Sequence, residues 1–98
     1  MTITKNQDGS KLTIQLDGRL DTGTAPQLDK DLKESLEGIT ELIMDFEKLS
    51  YVSSAGLRAI LSTQKKMNKQ GKMIIQNVNQ TIMDVFEVTG FVDILTIQ

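Results

Sequence analysis

Leu42, Ile43, Met44 and Phe46, interrupted only by Asp45, form an apolar run that leads within a few residues to a helical pattern opening on two serines. A run of this kind, bounded by polar segments, fits a central strand covered on both faces, as strands of parallel sheets are. Helices are therefore expected on both sides of it. The segment Glu47 to Ser53 reads as a short linker, after which Leu57, Ile60 and Leu61 share one helical face. Ser53 or Ser54 is then the N-cap. A helix start leaves backbone N–H groups without partners and carries a partial positive charge, so it favours a hydroxyl oxygen and favours a phosphate more. Most serines in this position simply cap. The same chemistry makes either one a candidate switch.

The flanking chain supplies the elements such a strand and helix need. Thr2 to Gln7 is a strand candidate, Asp8, Gly9 and Ser10 provide turn chemistry, and Leu12, Ile14 and Leu16 alternate with polar residues over Lys11 to Asp17. A hairpin follows from this. Gly18 to Gly23 is read as breaking the second strand, Thr24 as a cap and Pro26 as lying in the first turn of a helix that begins near Ala25. Leu28, Leu32 and Leu36 give that helix an apolar stripe, and Gly38 ends it. The helix after the serines runs to about Gln70, with Lys65, Lys66 and Lys69 near its C-terminal end and Gly71 as a left-handed cap. Lys72 to Gln76 is a second buried strand, Asn79 caps a short helix carrying Ile82, Met83, Val85, Phe86 and Val88, and Gly90 stops it. Residues 91–98 fit a terminal strand or a last helical turn equally well. The order predicts one α/β domain over residues 1–98: a mixed sheet of about four to five strands, helices packed on it, and right-handed βαβ crossovers.

Composition removes several classes of function. Neither cysteine nor histidine occurs among the 98 residues, which closes thiolate and imidazole zinc sites and every Ser-His or Cys-His nucleophile. Gly-x-Ser-x-Gly is absent around the two serines, and Lys65, the nearest lysine on the C-terminal side, lies about three helical turns away. The chain is read as no enzyme, with no cofactor. Asp17, Asp21 and Asp45 could be imagined as a magnesium cluster, but nothing in the pattern makes them converge, and no metal is expected. Thirteen acids against eleven bases leave no electrostatic footprint for nucleic acid or an anionic membrane. The N-terminus has no apolar targeting core and no run approaches the roughly 20 residues that span a bilayer, so a cytoplasmic home is expected. Met67, Met73 and Met83 read as core fillers, and the chain as a monomer or weak dimer.

The motifs in their order carry a resemblance. Gly18-Arg19-Leu20-Asp21 followed by Ala25, the run Leu42 to Phe46, then Leu49 to Leu57 reading Leu-Ser-Tyr-Val-Ser-Ser-Ala-Gly-Leu, and the late Val88-Thr89-Gly90-Phe91 turn span nearly the whole chain. Together they resemble the anti-sigma factor antagonist branch of the sulfate transporter and anti-sigma factor antagonist (STAS) family. In that family the serine two positions before the glycine of the central helix is phosphorylated by a partner that is both serine kinase and anti-sigma factor. The matching serine is Ser54, with Gly56 as the glycine. Many members have aspartate before the phosphorylated serine, where this chain has Ser53, so Ser53 is the second choice of acceptor. The resemblance implies a partner-binding surface containing Asp21, which joins Thr22, Ser53, Ser54, Ala55, Gly56 and Arg58 as the candidate site. It further implies a serine-kinase anti-sigma factor as partner and a serine phosphatase that resets the switch. The alternative it leaves open is an accessory or scaffold subunit of a transport or stress-signalling complex, without control by phosphorylation.

Overall fold

The computed structural model describes residues 1–98 as a four-stranded sheet with three helices and a short 3-10 turn. Strand β1 (Thr2–Asp8) and β2 (Lys11–Leu20) form the expected hairpin, closed by Gly9 and Ser10, with Gly9 at φ 62°. A two-residue loop needs such a backbone, and glycine takes it without steric cost. Beyond β2 the chain alternates helix and strand: α1 (Ala25–Ser35), β3 (Glu41–Val52), α2 (Ser54–Gln70), β4 (Lys72–Gln76) and α3 (Gln80–Thr89). Strands β2, β3 and β4 are parallel, in the spatial order β1-β2-β3-β4. Each of α1 and α2 is thus the crossover of a βαβ unit, for which the right-handed path is the rule.

Two boundaries differ from the sequence reading, for one physical reason. Strand β2 does not stop at Gly18 but continues to Leu20, and β3 does not stop at Phe46 but continues to Val52. Their register slips between Gln15 and Asp17 and again between Gly18 and Arg19, each time because β3 carries one extra residue. Bulges of this kind bend the strand and re-aim its side chains. After Phe46 the inward positions on β3 are Leu49 and Val52, three residues apart rather than two, so the alternation that marks a strand is lost while the pairing persists. Gly18, at φ 118°, is part of this irregular ladder, not a breaker.

The helices cover one face of the sheet, not both. Leu12, Ile14 and Leu16 on β2, Leu42, Met44 and Phe46 on β3, and Met73 and Ile75 on β4 all belong to one cluster of 23 buried side chains with Leu28, Leu32, Ile60, Met67, Ile82 and Phe86 from the helices. Lys5, paired across the hairpin with Ile14, reaches Asp31 of α1 at 2.8 Å, which places α1 on that same face. Ile43, on the opposite face of β3, is buried but stands outside the cluster, among half-buried Thr13, Gln15, Asp45 and Ile74. A strand order that follows chain order, with crossovers of one hand, leaves every helix on one side.

The helix ends are built as their residues suggest, with three exceptions, the first being that α1 ends at Ser35 with Leu36 as its C-cap, before Gly38 is reached. Asn79 caps α3 by accepting from the Ile82 N–H at 2.9 Å, and Gly90 closes it in the left-handed conformation at φ 78°. Thr24 sits at the N-cap of α1 without capping it, since its hydroxyl donates to the Arg19 carbonyl at 2.7 Å. Gly71 ends α2 with extended backbone instead of a left-handed cap, and a Cβ there would run into the backbone of Thr40. The C-terminal segment takes both forms the sequence allowed: a 3-10 turn over Phe91–Asp93, then Ile97 bridged in parallel to Ile75. No helix is long and apolar enough to cross a membrane.

Candidate functional site

The C-terminal end of β2 and the N-terminal end of α2 are locked together at Leu20. The Leu20 carbonyl accepts the Ser53 N–H at 2.9 Å, so the chain leaves β3 and enters α2 tied to the neighbouring strand. Ser53 is the cap: with extended backbone at φ −88° and ψ 176°, its Oγ accepts the Gly56 N–H at 3.2 Å and its carbonyl accepts the Leu57 N–H at 2.8 Å. Ser54 is the first residue of the helix and is exposed. The two serines therefore have different work. One hydroxyl is spent on the fold, while the other faces solvent beside the first N–H groups of α2, which have no intrahelical acceptor.

Gly56, one of the candidate site residues, lies in the first turn of α2. It is buried, and a Cβ there would come 2.7 Å from the Leu20 oxygen and 3.1 Å from Val52 Cγ1. Its function is close approach, which lets α2 begin directly against β2 and β3. Ala55 is half-buried and Arg58 exposed. Thr22, Ala55 and Arg58 line one shallow groove between α1 and α2 together with Pro26, Asp29 and Ser62.

Asp21 organises the loop that faces this helix start. Its Oδ1 accepts the N–H groups of Gly23 at 3.0 Å and Thr24 at 3.1 Å, its main-chain carbonyl accepts the Ala25 N–H at 2.8 Å, and its own N–H donates to Thr24 Oγ1 at 2.8 Å. Desolvation pushes its acidity toward the neutral form, but the hydrogen bonds from Thr24 and Gly23 and the nearby Arg19 charge outweigh it and hold the carboxyl below its ordinary value. Asp21 is anionic and its loop is rigidly tied. Arg19 and Tyr51, a pair for which the sequence offers no signal, sit opposite each other on β2 and β3. The guanidinium lies 4.2 Å from the Tyr51 ring centroid and 3.8 Å from Asp21 Oδ2. Only the shifted register of the two strands brings them together. Asp45 lies apart from Asp21, on the face away from the core, where Gln15, Asn77 and the Glu47 N–H hold its carboxylate.

The STAS domain family matches residues 2–98. The chain belongs to that family. Among its STAS relatives is the anti-sigma-B factor antagonist of Staphylococcus aureus, 31% identical over 84 residues, covering 84% of this chain and 78% of the relative. The anti-sigma-B factor antagonist of Bacillus subtilis is 26% identical over 98 residues, covering 99% of this chain and 90% of the relative. The STAS fold is that of SpoIIAA, an anti-sigma factor antagonist solved in its unphosphorylated form (TM-score 0.78, 21% identity, 99% of this chain and 87% of that one). The phosphorylated form of the Bacillus cell fate determinant SpoIIAA gives a TM-score of 0.77 at 22% identity, over 99% of this chain and 91% of that one.

Proposed function

We propose that this STAS domain is an anti-sigma factor antagonist whose contact with a serine-kinase anti-sigma factor is controlled at Ser54. Unmodified, the start of α2 and the Asp21 loop dock on the partner, and the sigma factor held there is set free. The partner transfers the terminal phosphoryl group of ATP to Ser54 Oγ, ADP leaves, the hydroxyl proton passes to a base of the kinase, and the antagonist is released. A serine phosphatase restores the free hydroxyl, and all of this takes place in the cytoplasm. The domain itself catalyses nothing. The reading is carried by one observation: Ser54 presents an exposed hydroxyl at the first position of α2, while Ser53 is engaged as the cap.

The energetics favour a block of docking over unfolding. A phosphate adds about −1.5 to −2 charges near neutral pH. At a helix N-terminus that charge gains roughly 0.3 to 2 kcal/mol, so the fold tolerates it. Against a partner carboxylate about 6 Å away, at an effective dielectric near 20, two negative charges repel by roughly 5 kcal/mol before salt screening. Half of that exceeds the approximately 1.4 kcal/mol that changes affinity tenfold. Titration calorimetry of the wild type and Ser54→Asp against the purified kinase-type anti-sigma factor tests this. Binding at least tenfold weaker, with a melting temperature no lower than that of wild type, is expected. Equal binding by Ser54→Asp would oppose the reading and favour a scaffold subunit that phosphorylation does not control.

A further inference from the structure

The charge on α2 is one-sided. Between Ser54 and Gln70 the helix carries Arg58, Lys65, Lys66 and Lys69 and no acidic residue. Arg58 is the basic side chain closest along the helix to Ser54, four positions on, and side chains at this spacing are neighbours on a helix surface. It is exposed, and the protein's ion pairs are formed by Lys5, Lys11, Arg19 and Lys72, not by Arg58. Asp29 of α1 shares the groove without pairing with it. The other arginine near the site, Arg19, is occupied by Tyr51 and Asp21.

We propose that Arg58 is the phosphate-binding residue of the switch: once Ser54 is phosphorylated, the Arg58 guanidinium pairs with the phosphate one helical turn away and is withdrawn from the surface offered to a partner. This rests on Ser54 being the acceptor. The order is the favourable one, anion N-terminal to cation, and a guanidinium can meet two phosphate oxygens with two parallel N–H donors, which a lysine cannot. Modification then removes a donor from the docking surface as well as adding an anion. The remaining charged groups near the site, Arg19 at the end of β2, Asp21 on the loop and Asp29 on α1, are common to every variant used below.

The test needs no partner. Phosphoserine is installed at position 54 of the full chain by genetic encoding, and the second ionisation of the phosphate is followed by 31P NMR in the parent, Arg58→Gln, Arg58→Lys and Lys66→Gln proteins. Arg58→Gln should raise the phosphate pKa by about 0.3 to 0.7 units, an exposed charge-assisted pair converted at 1.36 kcal/mol per unit. Arg58→Lys should fall between Arg58→Gln and the parent, Lys66→Gln should stay near the parent, and 0.5 M salt should shrink the differences. An Arg58→Gln value equal to the parent's, or a shift no larger than that of Lys66→Gln, would overturn the pairing. Failure of a kinase to modify Ser54 would instead defeat the phosphorylation reading, and the NMR comparison would still decide the pairing.

Discussion

The Leu20 carbonyl oxygen and the α-carbon of Gly56 are so close that a side chain on Gly56 would begin 2.7 Å from that oxygen. With the Ser53 N–H bonded to the same carbonyl at 2.9 Å, the contact sets where α2 starts and therefore where Ser54 stands relative to the Asp21 loop. Packing, more than the cap alone, positions the proposed acceptor.

Gly56→Ala reads this contact with a discriminating sign. In an open helix the change should stabilise by about 1 kcal/mol, because glycine is a poor helix former. Here overpacking of about 1 to 3 kcal/mol opposes it, with Leu20 backbone and Val52 both in the way. We expect a net loss of up to about 2 kcal/mol and a lower melting temperature in calorimetry. A rise would show that α2 can shift without cost.

The two serines should separate in denaturant titrations. Ser53→Ala removes the acceptor of the Gly56 N–H and should cost about 0.5 to 2 kcal/mol. Ser54→Ala, at an exposed position with no part in the cap, should stay within about 0.5 kcal/mol of wild type. Equal losses would mean that the capping roles are not divided this way.

Acid stability should depend on Asp21. Desolvation raises its pKa, but the Thr24 and Gly23 hydrogen bonds and Arg19 lower it further, so the folded value lies below the ordinary 3.8. A group depressed on folding binds protons more readily when unfolded, so its contribution is present above the ordinary value and is lost as pH falls through the lower, folded one. Asp21→Asn should therefore be less stable near neutrality and should show a shallower decline below about pH 4. Asp45, whose desolvation is likewise outweighed by Asn77, Glu47 N–H and Gln15, keeps part of that decline in the variant. Melting curves from pH 7 to pH 2.5 measure both, and an unchanged acid limb in Asp21→Asn would contradict the assignment.

Much of this was legible in the residues, and what was not has a local cause. Period-2 alternation marks β2 as far as Leu16, and Asn79 and Gly90 announce both ends of α3. The continuation of β3 through Leu49 and Val52 was hidden because each bulge turns a two-residue spacing into three. An apolar run cannot say which layer covers it: Ile43 is buried within the sheet's open face, away from the helices. Ser53 and Ser54 are chemically identical in the sequence, and only the extended backbone at Ser53 tells cap from first helical residue. Gly56 belongs to the motif that carries the resemblance, but the sequence does not say that a side chain there would meet the Leu20 oxygen; the fold does.

The exposed hydroxyl of Ser54, not the capping hydroxyl of Ser53, is the proposed phosphate acceptor. Phosphosite mapping by mass spectrometry after incubation with the kinase-type anti-sigma factor and ATP addresses it, using wild type, Ser53→Ala and Ser54→Ala. Phosphate on residue 54 of wild type and Ser53→Ala, with none on Ser54→Ala, is the predicted result. Modification of Ser54→Ala at Ser53 to the wild-type extent would contradict it.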